Sequence, residues 1–264
     1  DGTAVTGQDF TRVSGLLTFA PDQTTQTFSV PIINDQVDEE NETVNLVLDN
    51  PTGGATLGSP INAVLTILDN DAPPSISIND ISLNEGDTGL TAFTFTATKT
   101  GQTSQTVSVN YSTASGTATA PGDYTAIQND VISFGPNETS KQISVQVAGD
   151  YNREPNETFF VDLSGPVGAT ISDAQGLATI LNDDLGGTFR FNSAAYTVGE
   201  PATALTITVL RTGGTANNVA VNYSTSNETA LAGQDYTAVS GTLSFAGGQT
   251  SRTFIIPITN DGIP

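Results

Sequence analysis

Apolar and polar residues alternate with period two in a series of short runs, the pattern of strands that bury one face. Between Pro74 and Leu185 the runs are Ser75 to Ile78, Ala92 to Thr98, Thr106 to Tyr111, Val131 to Phe134, Gln142 to Val147, Thr158 to Leu163 and Gly176 to Leu181. Val, Ile, Thr and Phe concentrate in them, and clusters of Gly, Pro, Asn and Asp separate them. No window of comparable length carries an i, i+3, i+4 apolar stripe, so no helix is expected. Seven short strands in a stretch of roughly 100 residues predict an all-β, antiparallel, Ig-like sandwich.

The same pattern recurs on a longer scale. Gly7-Gln8-Asp9-Phe10 returns as Gly122-Asp123-Tyr124 and as Gly233-Gln234-Asp235-Tyr236, which spaces the aspartates by 114 and then 112 residues. Phe19-Ala20-Pro21, Phe134-Gly135-Pro136 and Phe245-Ala246-Gly247 keep step with them, and Ile67-Leu68-Asp69-Asn70-Asp71 matches Ile180-Leu181-Asn182-Asp183-Asp184. Three tandem copies of one module are expected, at 1–73, 74–185 and 186–264. The first starts at the Asp9 loop, without its first three strands, and the third stops before its last two, so the terminal copies are incomplete. The chain reads as a segment excised from something larger. Half-modules leave a core face and a strand edge uncovered, which admits the further expectation that neighbouring chains complete one another in a filament. Phe19, Phe134 and Phe245, with Tyr111 and Tyr223, are expected to point inward as core anchors. The Asp71-Ala72-Pro73-Pro74 junction should be stiff, whereas the glycines of Leu185-Gly186-Gly187 should let adjacent modules swing.

Composition narrows the chemistry. His, Cys, Met and Trp are all absent, which removes disulfides, thiolate and imidazole metal ligands and the commonest general base. Any metal must be held by oxygen. Asp and Glu number 28 against 7 Lys and Arg, a formal charge of -21, and such a chain repels nucleic acid and anionic lipid. Hard cations are the natural counter-ligands. There is no signal-peptide pattern and no apolar run long enough for membrane insertion. Richness in Thr, Ser, Asn, Asp and Gly with few lysines suggests a secreted or cell-surface protein.

Calcium takes six to eight oxygen ligands from loops that flex around a large ion. In the central copy Glu85, Asp123, Asp150, Glu154, Glu157, Asp183 and Asp184 fall at apparent strand ends. Alternate strand ends of a sandwich share one pole, so these acids can converge there. Asp9, Asp35, Glu39, Glu42, Asp69 and Asp71 repeat the pattern in the first copy, and Glu200, Asp235 and Asp261 retain part of it in the third. A bland alternative stands beside each motif taken alone: Asp and Asn before Gly or Tyr end strands through turn chemistry, and an Asn-Glu-Thr run can simply begin a solvated strand.

Asn84-Glu85-Gly86, Gly122-Asp123-Tyr124, Asp150 with Glu154, Asn156-Glu157-Thr158-Phe159 and Asn182-Asp183-Asp184 resemble, in this order, the signatures of the Calx-β family. The resemblance covers essentially the whole chain. It implies a multi-calcium site at the sandwich pole next to the following module, with the seven central acids as ligands and Ca2+ as the cofactor. Two positions depart from the family's pattern, Gly149 where a second acid commonly precedes Asp150 and Asn182 where a third terminal Asp is common.

The leading functional expectation is a calcium-binding structural or adhesive repeat segment of a large extracellular or cell-surface protein. Its partners would be calcium and neighbouring modules, and calcium would align them. A regulatory calcium sensor that passes binding to another domain is the alternative. No catalysis is expected, because every carboxylate cluster belongs to the repeat and a glycosidase would need one pair flanking a cleft. A carbohydrate-binding platform would need exposed aromatics, and there is no tryptophan to build one.

Overall fold

The computed structural model describes residues 2–260, and these contain strands, turns and loops but no helix. The first repeat contributes β1 (Val37–Asp38), β2 (Glu42–Val47) and β3 (Asn62–Ile67). The central repeat follows with β4 (Ser75–Ile78), β5 (Ile81–Asn84), β6 (Gly89–Thr100), β7 (Gln102–Thr103) and β8 (Val107–Ser115). It continues with β9 (Asp130–Phe134), β10 (Ser140–Gly149), β11 (Glu157–Val167), β12 (Thr170–Ile171) and β13 (Gln175–Leu181). The third repeat supplies β14 (Thr188–Phe191), β15 (Ala204–Thr212), β16 (Val219–Ser224), β17 (Ser240–Phe245) and β18 (Ser251–Pro257).

In the central repeat a four-stranded sheet, β10-β6-β4-β12, faces a five-stranded one, β5-β13-β11-β8-β9. Alternate residues of β6, β8, β10 and β11 point into one core, where Phe159 stacks on Tyr124 at 4.5 Å and meets Phe93 and Phe95 at 6.1 and 6.2 Å. Every strand expected in this repeat is present, and β5, β7 and β12 are added. Of these, β5 arises because the first strand changes sheets at Asn79-Asp80. There Asn79 Oδ1 accepts the Thr96 N–H at 2.5 Å on one sheet, and Asp80 Oδ1 accepts the Leu177 N–H at 2.8 Å on the other. β5 joins its sheet in parallel beside β13, whereas β4 lies between an antiparallel β6 and the short parallel β12.

The terminal repeats build less. The first pairs β2 with β3 over a small core of Ala4, Phe10 and Val44. The third forms β14-β15-β18 and β16-β17 around Ile207, Val209, Leu243, Phe245 and Phe254. Phe134 and Phe245 are buried as expected, and Tyr223 packs on Phe254 at 4.0 Å between ring centres. Tyr111 is half-buried and donates its hydroxyl to Asp130 at 2.8 Å. Phe19 departs from the expectation, being 53% exposed. Phe134 is covered because β9 pairs with β8, Phe134 opposite Val107. Around Phe19, residues 11–31 form no strand, so no paired strand covers it among the described residues.

Candidate metal centre

The Gly-Asp-aromatic motif is a turn fastened by its own acid. Asp9, Asp123 and Asp235 each accept, through Oδ2, the backbone N–H four residues upstream, from Val5 at 2.5 Å, Thr119 at 2.6 Å and Leu231 at 2.7 Å. The aromatic that follows, Phe10, Tyr124 or Tyr236, is buried and pins the turn to the core. Turn chemistry therefore accounts for one oxygen of each carboxylate. A carboxylate has a second oxygen and spare lone pairs, so the turn and ligand readings are compatible.

The Asn-Glu-Thr run brings a second acid to the first. Thr158 accepts the Ala118 N–H at 2.9 Å through its carbonyl and donates its own N–H to Thr117 Oγ1 at 2.8 Å. Thr43 repeats both bonds with Ala4 and Thr3, at 3.0 and 2.8 Å. These bonds clip the Asp-bearing turn onto the strand that begins with the Glu. As a result carboxylate oxygens of Asp123, Glu154 and Glu157 lie within 4.8 Å of one another, as do those of Asp9, Glu39 and Glu42.

The remaining acids close the pole from the other side. Glu85 N–H donates to Leu181 O at 3.3 Å and Gly86 N–H to Asp183 Oδ1 at 3.2 Å, which sets the Glu85 turn against the end of β13. Glu85 is 8% exposed, and its carboxyl is pushed up to about 7 by burial first and then by the charges of Asp150, Asp184, Glu154 and Asp183. Burial also raises Asp184, followed by Asp87, Asp150, Asp183 and Glu154. Glu154 is raised by burial and then by Asp150 and Asp123, and Glu157 by burial and then chiefly by Asp123 and Glu154. All seven central acids thus belong to one electrostatic cluster.

The first repeat assembles its six acids in the same way around a shallow pocket lined by Asp9, Asp35, Glu39, Glu42, Asp69 and Asp71. Burial pushes Glu42 up to about 7, helped by a hydrogen bond to Asp9 and by the charges of Asp9 and Glu39. Glu39 is raised by burial and then by Asp9, Asp35, Asp69 and Asp71. Asp71 rises through desolvation and then Asp69, Asp35 and Asp38.

Asp87 and Asp38 were not among the sequence candidates. Each lies within three residues of a motif acid, and that proximity was their signal. In the third repeat Asp235 makes its turn and Glu200 sits in the Gly199 to Ala202 turn, but no group of three acids forms there among the described residues. Asp261 lies outside the described residues.

The two departures from the family's pattern have local causes. Gly149 ends β10 so close to the Glu85 turn that a Cβ would sit 2.1 Å from Gly86 O and 2.8 Å from Glu85 O. An acid there would force that turn away. Asn182 accepts the Glu154 N–H through Oδ1 at 3.0 Å, so it orders the loop that carries another acid.

The donor set is oxygen throughout, and none of its acids forms an ion pair among the described residues. Among the described residues the ion pair formed is Lys141 with Glu138, at 2.7 Å, and neither residue belongs to the cluster. Asp184 is 1% exposed, and its Oδ2 has no hydrogen-bond partner. A buried, unpaired carboxylate oxygen is strongly unfavourable in isolation. Several convergent carboxylates with one buried and unsatisfied oxygen fit a hard divalent cation, which offers many oxygen coordination positions and the missing positive charge.

Comparison with known proteins gives this arrangement a family. The sequence profile of the Calx-beta domain matches residues 1–71, 73–184 and 182–264. Extracellular matrix protein 3 of Lytechinus variegatus is 31% identical over 282 residues, covering 99% of this chain and 9% of that protein. Adhesion G-protein coupled receptor V1 of Danio rerio is 29% identical over 264 residues, 97% of this chain and 4% of the receptor. The sodium/calcium exchanger Calx of Drosophila melanogaster is 32% identical over 166 residues, 63% of this chain and 17% of the exchanger. The chain therefore spans a small part of each relative. A solved structure of calcium binding domain CBD12 of CALX1.1 superposes with a TM-score of 0.44 at 25% identity, over 70% of this chain and 76% of that one. Since the profile matches every repeat from end to end, the chain belongs to the Calx-beta domain family.

Proposed function

We propose that this chain is a calcium-binding structural repeat segment of an extracellular or cell-surface protein, with units at 1–73, 74–185 and 186–264. Glu85, Asp123, Asp150, Glu154, Glu157, Asp183 and Asp184 are the proposed ligands of the central unit, and Asp9, Asp35, Glu39, Glu42, Asp69 and Asp71 those of the first. Glu200, Asp235 and Asp261 are the corresponding acids of the third, and the proposal rests on the other two. The observation that carries it is the crowding of carboxylates at the first and central poles, none of them in an ion pair among the described residues, with Asp184 Oδ2 buried and unpaired. Calcium supplies the charge that holds such loops together.

The cluster recurs in the first and central repeats, which suits binding rather than turnover. A structural array is favoured over a sensor because the matrix and adhesion-receptor relatives align with 99% and 97% of this chain. The exchanger aligns with 63% of it, and its similarity keeps the sensor reading as the second one. Calorimetric titration of the whole chain with calcium, then with magnesium, tests the chemistry. More than one calcium ion should bind, in preference to magnesium, and Asp123→Ala combined with Asp184→Ala should reduce the number bound. An unchanged isotherm in that variant would remove the ligand assignment.

A further inference from the structure

Arg211, on β15, is 1% exposed and has no carboxylate partner among the described residues. Its guanidinium donates to Gly186 O from Nε at 3.0 Å, to Asn217 O and Ala246 O from Nη1 at 3.2 and 3.3 Å, and to Ala216 O from Nη2. These carbonyls belong to three segments of the third repeat: its entry, the hairpin after β15 and the turn after β17. The rigid fork of donors staples all three together.

The stapled segments form the surface on which the central repeat sits. Asn217 N–H donates to Tyr151 O at 2.5 Å, Arg153 N–H to Asn217 Oδ1 at 3.2 Å and Ala216 N–H to Leu185 O at 2.9 Å. The Tyr151 side chain lies over the β17–β18 turn, where a Cβ on Gly247 would come within 2.9 Å of Tyr151 Cβ and one on Gly248 within 3.1 Å of its ring. The linker is packed as closely. Gly187 has φ +70° and a Cβ on it would lie 2.1 Å from Gly214 O. These glycines admit a tight contact, so the swinging joint expected from Leu185-Gly186-Gly187 is not what the fold builds.

The same segments meet at the other junction. There β1 pairs with β7, Ser104 N–H donates to Asp38 O at 3.1 Å and Thr103 Oγ1 donates to Asp38 Oδ2 at 3.0 Å. Lys99, 112 residues before Arg211, is likewise buried and donates to Gly135 O and Pro136 O at 3.0 and 2.8 Å.

We infer that the seam between the central and third repeats is a docking interface made by the protein alone, Tyr151, Arg153 and Leu185 fitting the surface stapled by Arg211, so that the chain and not calcium sets the angle between them. The bonds across this seam use backbone groups, an amide side chain and a ring, and none uses a carboxylate. At this seam the acids then stabilise the pole without setting the angle. The inference does not depend on calcium binding.

The chain has no cysteine, so Ser133→Cys and Thr206→Cys, at exposed positions of β9 and β15, accept one pair of spin labels. Pulsed dipolar distances should show one narrow peak at the same mean in calcium and in EDTA. Tyr151→Ala, which removes the ring from a surface loop, should lose that narrow peak in both solutions. Gly247→Val, which intrudes from the other side, should do the same, with folding of each variant read from its strand circular dichroism. A broad distribution in EDTA that narrows with calcium overturns the inference, and so does a folded Tyr151→Ala variant that keeps the narrow peak. Failure of the calorimetric test with a narrow peak retained would count against the calcium proposal alone.

Discussion

Asn156 Oδ1 accepts the Asn182 N–H at 3.1 Å, tying the strand end that carries Asp183 and Asp184 to the start of the strand that carries Glu157. Asn41 and the Asp69 N–H repeat the bond in the first repeat at 2.9 Å. The Asn of each Asn-Glu-Thr run is thus a brace for the pole. Asn156→Ala should lower stability in EDTA by about 1 kcal/mol, the usual worth of such a bond. It should also weaken calcium binding, because the strand end is no longer held. Urea denaturation in EDTA and calorimetry with calcium measure the two effects.

Asp184→Asn removes a buried charge and keeps the shape. The metal-free variant is expected to melt at a temperature equal to or above that of the parent chain, whereas the rise in Tm on adding calcium should shrink. Paired thermal melts in EDTA and in calcium read both, and a metal-free variant that melts well below the parent would contradict the strain assigned to this carboxylate.

Stability without metal should depend on pH in a stated direction. Glu85 and Glu42 hold their protons to about 7 in the folded chain against an ordinary 4.5. Between those values the folded state binds more protons than the unfolded one, so stability is fully present below about 4.5 and is lost as pH rises through about 7. Asp130 and Glu138 are held below their ordinary values by bonds from Tyr111 and Lys141, and their opposite effect falls at lower pH. Tm in EDTA should therefore fall from about pH 5 to about pH 8, and calcium should flatten that slope by replacing the protons.

Gly149→Asp tests whether the pole has room for a second acid before Asp150. The new Cβ meets Gly86 O at 2.1 Å, and overpacking of this kind typically destabilises by about 1–3 kcal/mol. Denaturant titration should show that loss, and calcium affinity should fall with it because the Glu85 turn is displaced.

How far the sequence could be read depended on whether a feature repeats. The period-two runs and the recurring Asp-aromatic motif placed the strands and the poles, since both follow from local chemistry that each copy restates. Phe19 was misjudged because burial depends on a partner strand: its sequence surroundings match those of Phe134, but the neighbours of Phe134 come from β8. Ile81–Asn84 was missed since it is four residues long and pairs with β13, nearly a hundred residues away in the chain. Gly149 and Asn182 looked like lost ligands. Only the approach of Gly86 O and the Glu154 N–H shows what those two positions do.

The sheet change at Asn79-Asp80 has a mechanical consequence. It places β5, near the entry to the central repeat, parallel to β13 at its exit, with Ile81 to Asn84 opposite Ala178 to Leu181. Once β4 has come away from β6 and β12, tension along the array pulls β5 from its leading end and β13 from its trailing end. Two parallel neighbours pulled this way are loaded in shear, so their hydrogen bonds must fail together and cannot be peeled apart one at a time. Resistance to stretching is a property of the unfolding rate, and this pair of strands puts its barrier where the pull enters and leaves the sandwich.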